Sequence, residues 1–178
     1  MTQPFPHTPF SNSYWVEPDK FLAGEYPIQN EDEERSQRKI DSLIRTGITT
    51  IIDLTQPWDA EEYASLLEKE AVQSGKTVEH QRFGINDFST PDPNLMVTIL
   101  DAIDTAIDNG KMVYVHCVGG FGRTGTVVGC YLVRHGMSGE AALEHIHNLR
   151  RYTAHWWKSS PESADQRDFV KKWKEPAG

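Results

Sequence analysis

The stretch "MVYVHCVGGFGRTGTVVGCYLV", residues 112–133, constrains the fold more than any other part of the chain. An apolar run, a loop crowded with glycine and a second apolar run follow one another without a gap. The first run reads as a strand and the last as a buried helix. A strand–loop–helix unit puts its loop at the carboxyl end of a strand, where ligands of open α/β sheets bind. The glycines spell Gly120-x-Gly122-x-x-Gly125, formally the pattern of a dinucleotide-binding turn. Cys117 and Arg123 stand at the two ends of the same loop. The loop therefore either holds the pyrophosphate of a cofactor or attacks the phosphate of a substrate.

The rest of the chain supplies alternating helices and strands. Residues 1–13, rich in Pro, Ser and Asn, read as an N-terminal arm ahead of a domain spanning 14–178. "YWVEPDKFLAGEYP" suggests a short strand or two with turns. Asn30 can cap a helix over 31–46 that Gly47 stops. "ITTIIDL" (48–54) is a β-branched strand. Asp59-x-x-Glu62 fits a capping box for a helix ending at Gly75. "TVEHQRF" (77–83) alternates like a half-buried strand. Asp92 and Pro93 suit the cap and first turn of a helix whose apolar face is Leu95, Met96, Ile99, Leu100, Ile103, Ala106 and Ile107. Two further helices are predicted over 139–150 and 161–174, the second capped by Ser160 with Pro161 in its first turn. The expected fold is α/β: a single domain with a central, mostly parallel twisted sheet and helices on both faces.

The dinucleotide reading fails on its surroundings. It requires a second strand ending in an acidic residue about 20 positions on. That region is "GEAALEHIHNLR", which reads as helix, and little strand-like sequence follows residue 136. A Walker loop fails too, since it would need Gly at 117 and Lys at 123. The substrate-phosphate reading finds its parts in place. Gly119, Gly120 and Gly122 permit the positive φ angles that turn successive amides inward, and such a nest at a helix N-terminus holds a phosphate-sized oxyanion. Arg123 adds a planar bidentate clamp. The same positive field favours the thiolate of Cys117, the nucleophilic form.

Composition narrows the partners. The net charge of −8 gives no general attraction for nucleic acid or anionic lipid, so an anionic ligand needs a local positive site. No apolar run approaches membrane-spanning length, and the first residues lack the basic and apolar regions of a signal peptide. Only two cysteines, Cys117 and Cys130, are present, which points to a reducing, cytoplasmic setting and against a disulfide framework. Cys130, on an apolar helix, reads as packing. His145 and His147 lack metal-ligand spacing.

"VHCVGGFGRTGT" resembles the His-Cys-x5-Arg-Ser/Thr signature loop of the cysteine-dependent protein tyrosine phosphatase superfamily. With its Gly-Gly-x-Gly interior and short chain, it is most similar to the small dual-specificity-like phosphatases. "YWVEPDKFLAGEYP" resembles the family's opening strands, "GINDFSTP" its general-acid loop and "SPESADQRDFV" a segment near the domain's end. The resemblance implies a metal-independent phosphomonoester hydrolase without cofactor, acting through a phosphocysteine intermediate. Cys117 is then the nucleophile. Arg123 holds the phosphoryl group with the loop residues Val118, Gly119, Gly120, Phe121 and Gly122. Thr124 hydrogen-bonds the sulfur and helps it leave. His116 supports the loop from beneath without transferring protons. Gln166 resembles a family glutamine, although the water-orienting position falls nearer Glu162.

A leaving alkoxide or phenoxide needs a proton donor. Asp59 in "QPWDAEE" and Asp92 before Pro93 both read as caps. Asp87, upstream of the nucleophile, matches the family's Asp-x-x-x-Pro pattern through Pro91 and is the expected general acid. Asn86 stands where relatives often carry Pro, a departure expected to loosen the loop. Trp156 and Trp157 either frame the substrate entrance or, as expected first, pack under the last helix; Arg150 and Arg151 either contact a second anionic group or, by default, form a solvated helix end. The implied partner is a phosphorylated protein or peptide, with phosphotyrosine first, acted on by a monomer. No membrane or nucleic-acid partner is expected: relatives directed at phosphoinositides often carry basic residues inside the signature loop, which here is uncharged, and the net acidity disfavours anionic surfaces. The rivals are a non-catalytic phosphoresidue-binding module, a phosphatase for a non-protein phosphomonoester, and a sulfur-transfer enzyme. Neither the binding module nor the sulfur-transfer enzyme needs Asp87.

Overall fold

The computed structural model describes residues 7–28 and 32–176. Five strands form one sheet: β1 (Ser13–Glu17), β2 (Phe21–Gly24), β3 (Ile48–Asp53), β4 (Glu79–Arg82) and β5 (Met112–His116). Their order is β1-β2-β5-β3-β4, and only the β1–β2 pair is antiparallel. The apolar run before the glycine loop is thus the central strand, paired on both sides.

Helices cover both faces. α1 (Glu33–Thr46) and α2 (Ala64–Gln73) bury Ile40, Leu43, Ile44, Leu67 and Ala71 against Trp15, Leu22, Ile48, Ile51 and Tyr114. α3 (Pro93–Asp108), α4 (Arg123–Arg134), α5 (Gly139–Leu149) and α6 (Ala164–Lys171) enclose the larger core on the opposite face. The apolar face expected for α3 is the one buried, through Met96, Ile99, Leu100, Ile103 and Ala106. Alternation along each strand sends neighbouring side chains to the two cores. Thus Val113 and Val115 join the larger core, while Tyr114 joins the smaller one.

Several boundaries differ from expectation. Asn30 lies outside the described residues, and Asp32 caps α1 by accepting from the Arg35 amide at 2.8 Å. Gly47 ends α1 at φ 106°, as its left-handed tolerance allows. No capping box forms at Asp59, because α2 begins only after Tyr63. α6 starts at Ala164 and not at Pro161: Ser163 and Gln166 form a reciprocal capping box, while Ser160 Oγ donates to the Phe121 carbonyl at 2.7 Å. The first six residues of the expected arm lie outside the described residues. Asn12 and Ser13, at its end, are buried.

Candidate active site

Strands β2 to β5 run parallel, so the loops leaving their carboxyl ends share one edge of the sheet. Those loops carry Glu25, Asp59, Asp87 and the whole of 117–122. Four segments far apart in sequence therefore converge at the place an open parallel sheet offers a ligand.

The loop after β5 is held from outside through its carbonyls. The Val118 carbonyl accepts from the Tyr26 amide at 2.9 Å, and that of Gly119 from Asn12 Nδ2 at 3.3 Å. The carbonyl of Phe121 accepts from Ser160 Oγ, and that of Gly122 from Thr126 Oγ1 at 2.8 Å. In a trans peptide the following N–H points the opposite way. The amides of Gly119, Gly120, Gly122 and Arg123 are thereby turned toward the loop's interior, and the Gly120 amide lies 3.3 Å from Cys117 Sγ. This amide cradle opens onto the N-terminus of α4, a second source of positive potential.

The three loop glycines are needed for different reasons. Only Gly120 adopts a positive φ, 77°. A Cβ there would also lie 2.6 Å from the carbonyl carbon and oxygen of Gly24, where β2 and the loop meet backbone to backbone. A Cβ on Gly119 would strike the Phe121 ring at 2.9 Å, and one on Gly122 would meet the Gln166 amide at 3.0 Å. The expectation of several positive φ angles thus reduces to one, with the other two glycines providing clearance.

Cys117 and Arg123 are buried at the loop's ends, 3% and 1% exposed. Arg123 Nη1 donates to Asp59 Oδ2 and, at 2.9 Å, to the Ile85 carbonyl. Its Nη2 lies 3.3 Å from Asp87 Oδ1. Its Nε is buried without a hydrogen-bond partner among the described residues. Burial works to lower the pKa of Arg123, but its hydrogen bond to Asp59 and the nearby Cys117 and Asp87 outweigh it and raise the pKa. Thr124 Oγ1 is also buried without a partner among the described residues, so the bond expected from Thr124 to the Cys117 sulfur is not formed here.

His116 sits under the loop, fully buried. Its Nδ1 lies 3.0 Å from the Cys117 carbonyl, and its Nε2 lies 2.6 Å from the Tyr63 hydroxyl. A carbonyl can only accept, so Nδ1 carries the proton and Tyr63 donates to Nε2. Burial lowers the His116 pKa to about 4, which keeps the ring neutral in this arrangement. The ring thus bridges the Cys117 backbone and the Tyr63 hydroxyl. Tyr63, which the sequence reading did not single out, fixes its tautomer.

Asp87 is half exposed, and its Oδ1 accepts from the Phe88 amide at 3.0 Å. Asp92 caps α3 through the Asn94 amide at 2.8 Å, as expected. Asn86 does not simply loosen the loop, since its Oδ1 accepts from Gln56 Nε2 at 3.1 Å and its carbonyl from the Ser89 amide. Gln166 is buried behind the loop. Its Oε1 accepts from the Ser163 amide at 3.0 Å and from the Glu162 amide at 3.2 Å, and its Nε2 donates to the Ser89 carbonyl at 3.2 Å. It thereby ties α6 to the Asp87 loop. Two expectations are overturned nearby. Arg150 is not a solvated helix end but is buried, donating to the Lys158 and His155 carbonyls with its guanidinium over the Phe121 ring. Trp156 and Trp157 do not pack under α6 but stand 52% and 62% exposed. Among the described residues no group of His, Cys, Asp and Glu side chains could hold a metal ion.

A thiol and a guanidinium at the two ends of an inward-facing amide loop, between a central parallel strand and a buried helix, define the class of cysteine-dependent phosphatase domains. Residues 11–171 match the PTP-SAK family, described as the Swiss Army Knife DSP-PTPase phosphatase domain, and the chain belongs to that family. It is 28% identical over 157 residues to a phosphatidylinositol 3,4,5-trisphosphate 3-phosphatase and protein-tyrosine-phosphatase, PTEN1, of Arabidopsis thaliana, covering 87% of this chain and 36% of the relative. It is also 28% identical over 142 residues to the phosphatidylglycerophosphate phosphatase PTPMT2 of the same plant, covering 77% of this chain and 55% of the relative. The chain thus spans about a third to a half of these two relatives. The fold resembles the crystal structure of Tk-PTP in its active form, with a TM-score of 0.70 at 22% identity, covering 90% of this chain and 95% of that one.

Proposed function

We propose that this protein hydrolyses phosphomonoesters without a metal, through a phosphocysteine intermediate, and that its substrates are phosphorylated proteins, phosphotyrosine first. One observation carries the reading: Cys117 Sγ and the Arg123 guanidinium close the two ends of an inward-facing amide cradle, with Asp87 3.3 Å from that guanidinium. In the first step Cys117 Sγ attacks phosphorus and the phosphorus–oxygen bond breaks. Asp87 gives its proton to the departing oxygen. In the second step water loses a proton to Asp87 and attacks phosphorus, and the sulfur leaves as thiolate. Arg123 and the loop amides stabilise the equatorial oxygens in both steps. In this reading Thr124 Oγ1, which is buried and has no partner among the described residues, donates to the leaving sulfur or to an oxygen of the bound phosphoryl group. Gln166 holds the acid loop against the cradle and takes no proton, and Glu162 precedes that capping turn.

Support for an aromatic substrate comes from two exposed aromatic residues. Trp58 and Phe88 are 75% and 59% exposed, and each adjoins a carboxylate that contacts Arg123. In this reading they supply apolar surface to an aryl ring. A lipid phosphomonoester is the second reading, favoured by the two plant relatives, whose names are those of lipid phosphatases. The test is hydrolysis of an aryl phosphate in chelator, followed by competition between a phosphotyrosine peptide and phosphatidylglycerophosphate. Cys117→Ser is expected to abolish turnover. Asp87→Asn is expected to slow substrates with poor leaving groups by about 100-fold or more and activated aryl phosphates far less. Full activity in Cys117→Ser would remove the nucleophile assignment, and preference for the lipid would replace the protein substrate.

A further inference from the structure

Two carboxylates face Arg123, and they differ in kind. The Asp59 side chain is 11% exposed, and the Oδ2 that binds Nη1 also accepts from the Gln56 amide at 2.9 Å. The Asp87 side chain is 54% exposed and stands at 3.3 Å, long for a charge-assisted hydrogen bond. The guanidinium is divided accordingly. Nη1 spends its two hydrogens on Asp59 and the Ile85 carbonyl, whereas Nε has no partner among the described residues and Nη2 has only the long contact. A guanidinium grips an oxyanion with two parallel N–H groups, and the Nε–Nη2 edge is the one left for that purpose.

We propose that Asp59 is a positioning residue: it pins the Nη1 corner of Arg123 so that the Nε–Nη2 edge faces a bound oxyanion. It transfers no proton. This goes beyond the phosphatase reading but rests on its assignment of Arg123 to the phosphate. With no helix to cap, Asp59 has its carboxylate committed to Arg123 and to the turn of its own loop. Left unpinned, the guanidinium would have to be ordered when the ligand binds, at a cost in affinity.

The experiment is calorimetric binding of inorganic phosphate to wild type, Asp59→Asn and Asp59→Glu, each shown folded by thermal melting. It is paired with hydrolysis of two aryl phosphates of low and high leaving-group pKa. Asp59→Asn is expected to weaken phosphate about tenfold or more. Its kcat/KM should fall by a similar factor for both leaving groups. Asp59→Glu, which keeps the charge, should recover part of the lost affinity. Unchanged or tighter phosphate binding in Asp59→Asn would overturn the proposal, the latter because Asp59 would then be competing with the ligand. Selective loss of the poor leaving group would overturn it by making Asp59 a proton donor, and no recovery in Asp59→Glu would overturn it by making the charge irrelevant. A wild type that binds phosphate but hydrolyses nothing ends the catalytic reading and leaves the Asp59 comparison intact. A wild type that binds no phosphate ends both.

Discussion

Gly120 shows how much of the site depends on a missing side chain. Its φ of 77° is costly for any residue with a Cβ, by about 1–2 kcal/mol. The added atom would also meet backbone at 2.6 Å, and backbone cannot swing aside as a side chain can. Gly120→Ala is therefore expected to cost more than the conformational strain alone, about 2 kcal/mol or more in denaturant unfolding. Phosphate binding should weaken with it, because the amide of residue 120 faces Cys117 Sγ. Gly122→Ala is the contrast: its φ is ordinary, and the group it meets is the end of the Gln166 side chain. A loss equal to that of Gly120→Ala would show that crowding, and not backbone conformation, sets the requirement. Cys130 illustrates the opposite case. It is wholly buried among apolar side chains, as its apolar helix suggested, and burial raises its pKa, which disfavours the thiolate.

At the scale of elements, the start of α6 couples a fold feature to the site. Ser163 Oγ accepts from the Gln166 amide at 3.1 Å and donates to the Phe88 carbonyl at 3.3 Å, while Gln166 Nε2 reaches the Ser89 carbonyl. One capping box thus carries both contacts to the loop bearing Asp87. Ser163→Ala is expected to cost about 1 kcal/mol in stability through the lost cap. It should also slow poor leaving groups more than activated ones, since the acid loop loses a tether. Equal effects on both would confine Ser163 to capping.

The same element shows what sequence could and could not reveal. Gly47, and Asp92 with Pro93, marked their helix ends because the physics of those ends is local. Ser163-x-x-Gln166 was an equally local signal, but Ser160-Pro161 competed with it three residues earlier. Ser160 instead spends its hydroxyl on the Phe121 carbonyl, a contact 39 residues away in the chain. Cys117, Arg123 and the glycines were legible because one loop holds them all. Asp59 was misjudged because its partner lies 64 residues on, and "QPWDAEE" contains nothing that points there. Arg150 and Tyr63 were missed for the same reason, since each acquires its role only through tertiary contact.

For the whole molecule, the sheet edge that carries the candidate site rests on a buried polar layer, and that layer sets how stability depends on pH. His116 at the end of β5 bonds Tyr63 just before α2, and Asp53 at the end of β3 lies close enough to act on His116. Burial opposes the charge on Asp53, but hydrogen bonds from His80 and Thr55 and the neighbouring His116 hold its carboxyl well below the usual carboxylate range. In the unfolded chain His116 takes a proton near pH 6.5, whereas in the folded protein it does so only near pH 4. Between those values the unfolded chain binds more protons, so stability rises with pH and is lost as pH falls from 6.5 toward 4. A shift of that size corresponds to about 3 kcal/mol at full extent. Asp53 cannot produce this loss. Its folded pKa is depressed, so its contribution is present above the ordinary carboxylate range and disappears only as pH falls through the lower folded value. The two groups therefore act in successive windows, the histidine first. Denaturant unfolding between pH 7 and 4.5 should show the drop, and NMR titration should show the His116 ring neutral until near pH 4. A ring titrating near 6.5 in the folded protein would sink the account, because a protonated Nε2 could not accept from Tyr63 and the support beneath Cys117 would have to be rebuilt.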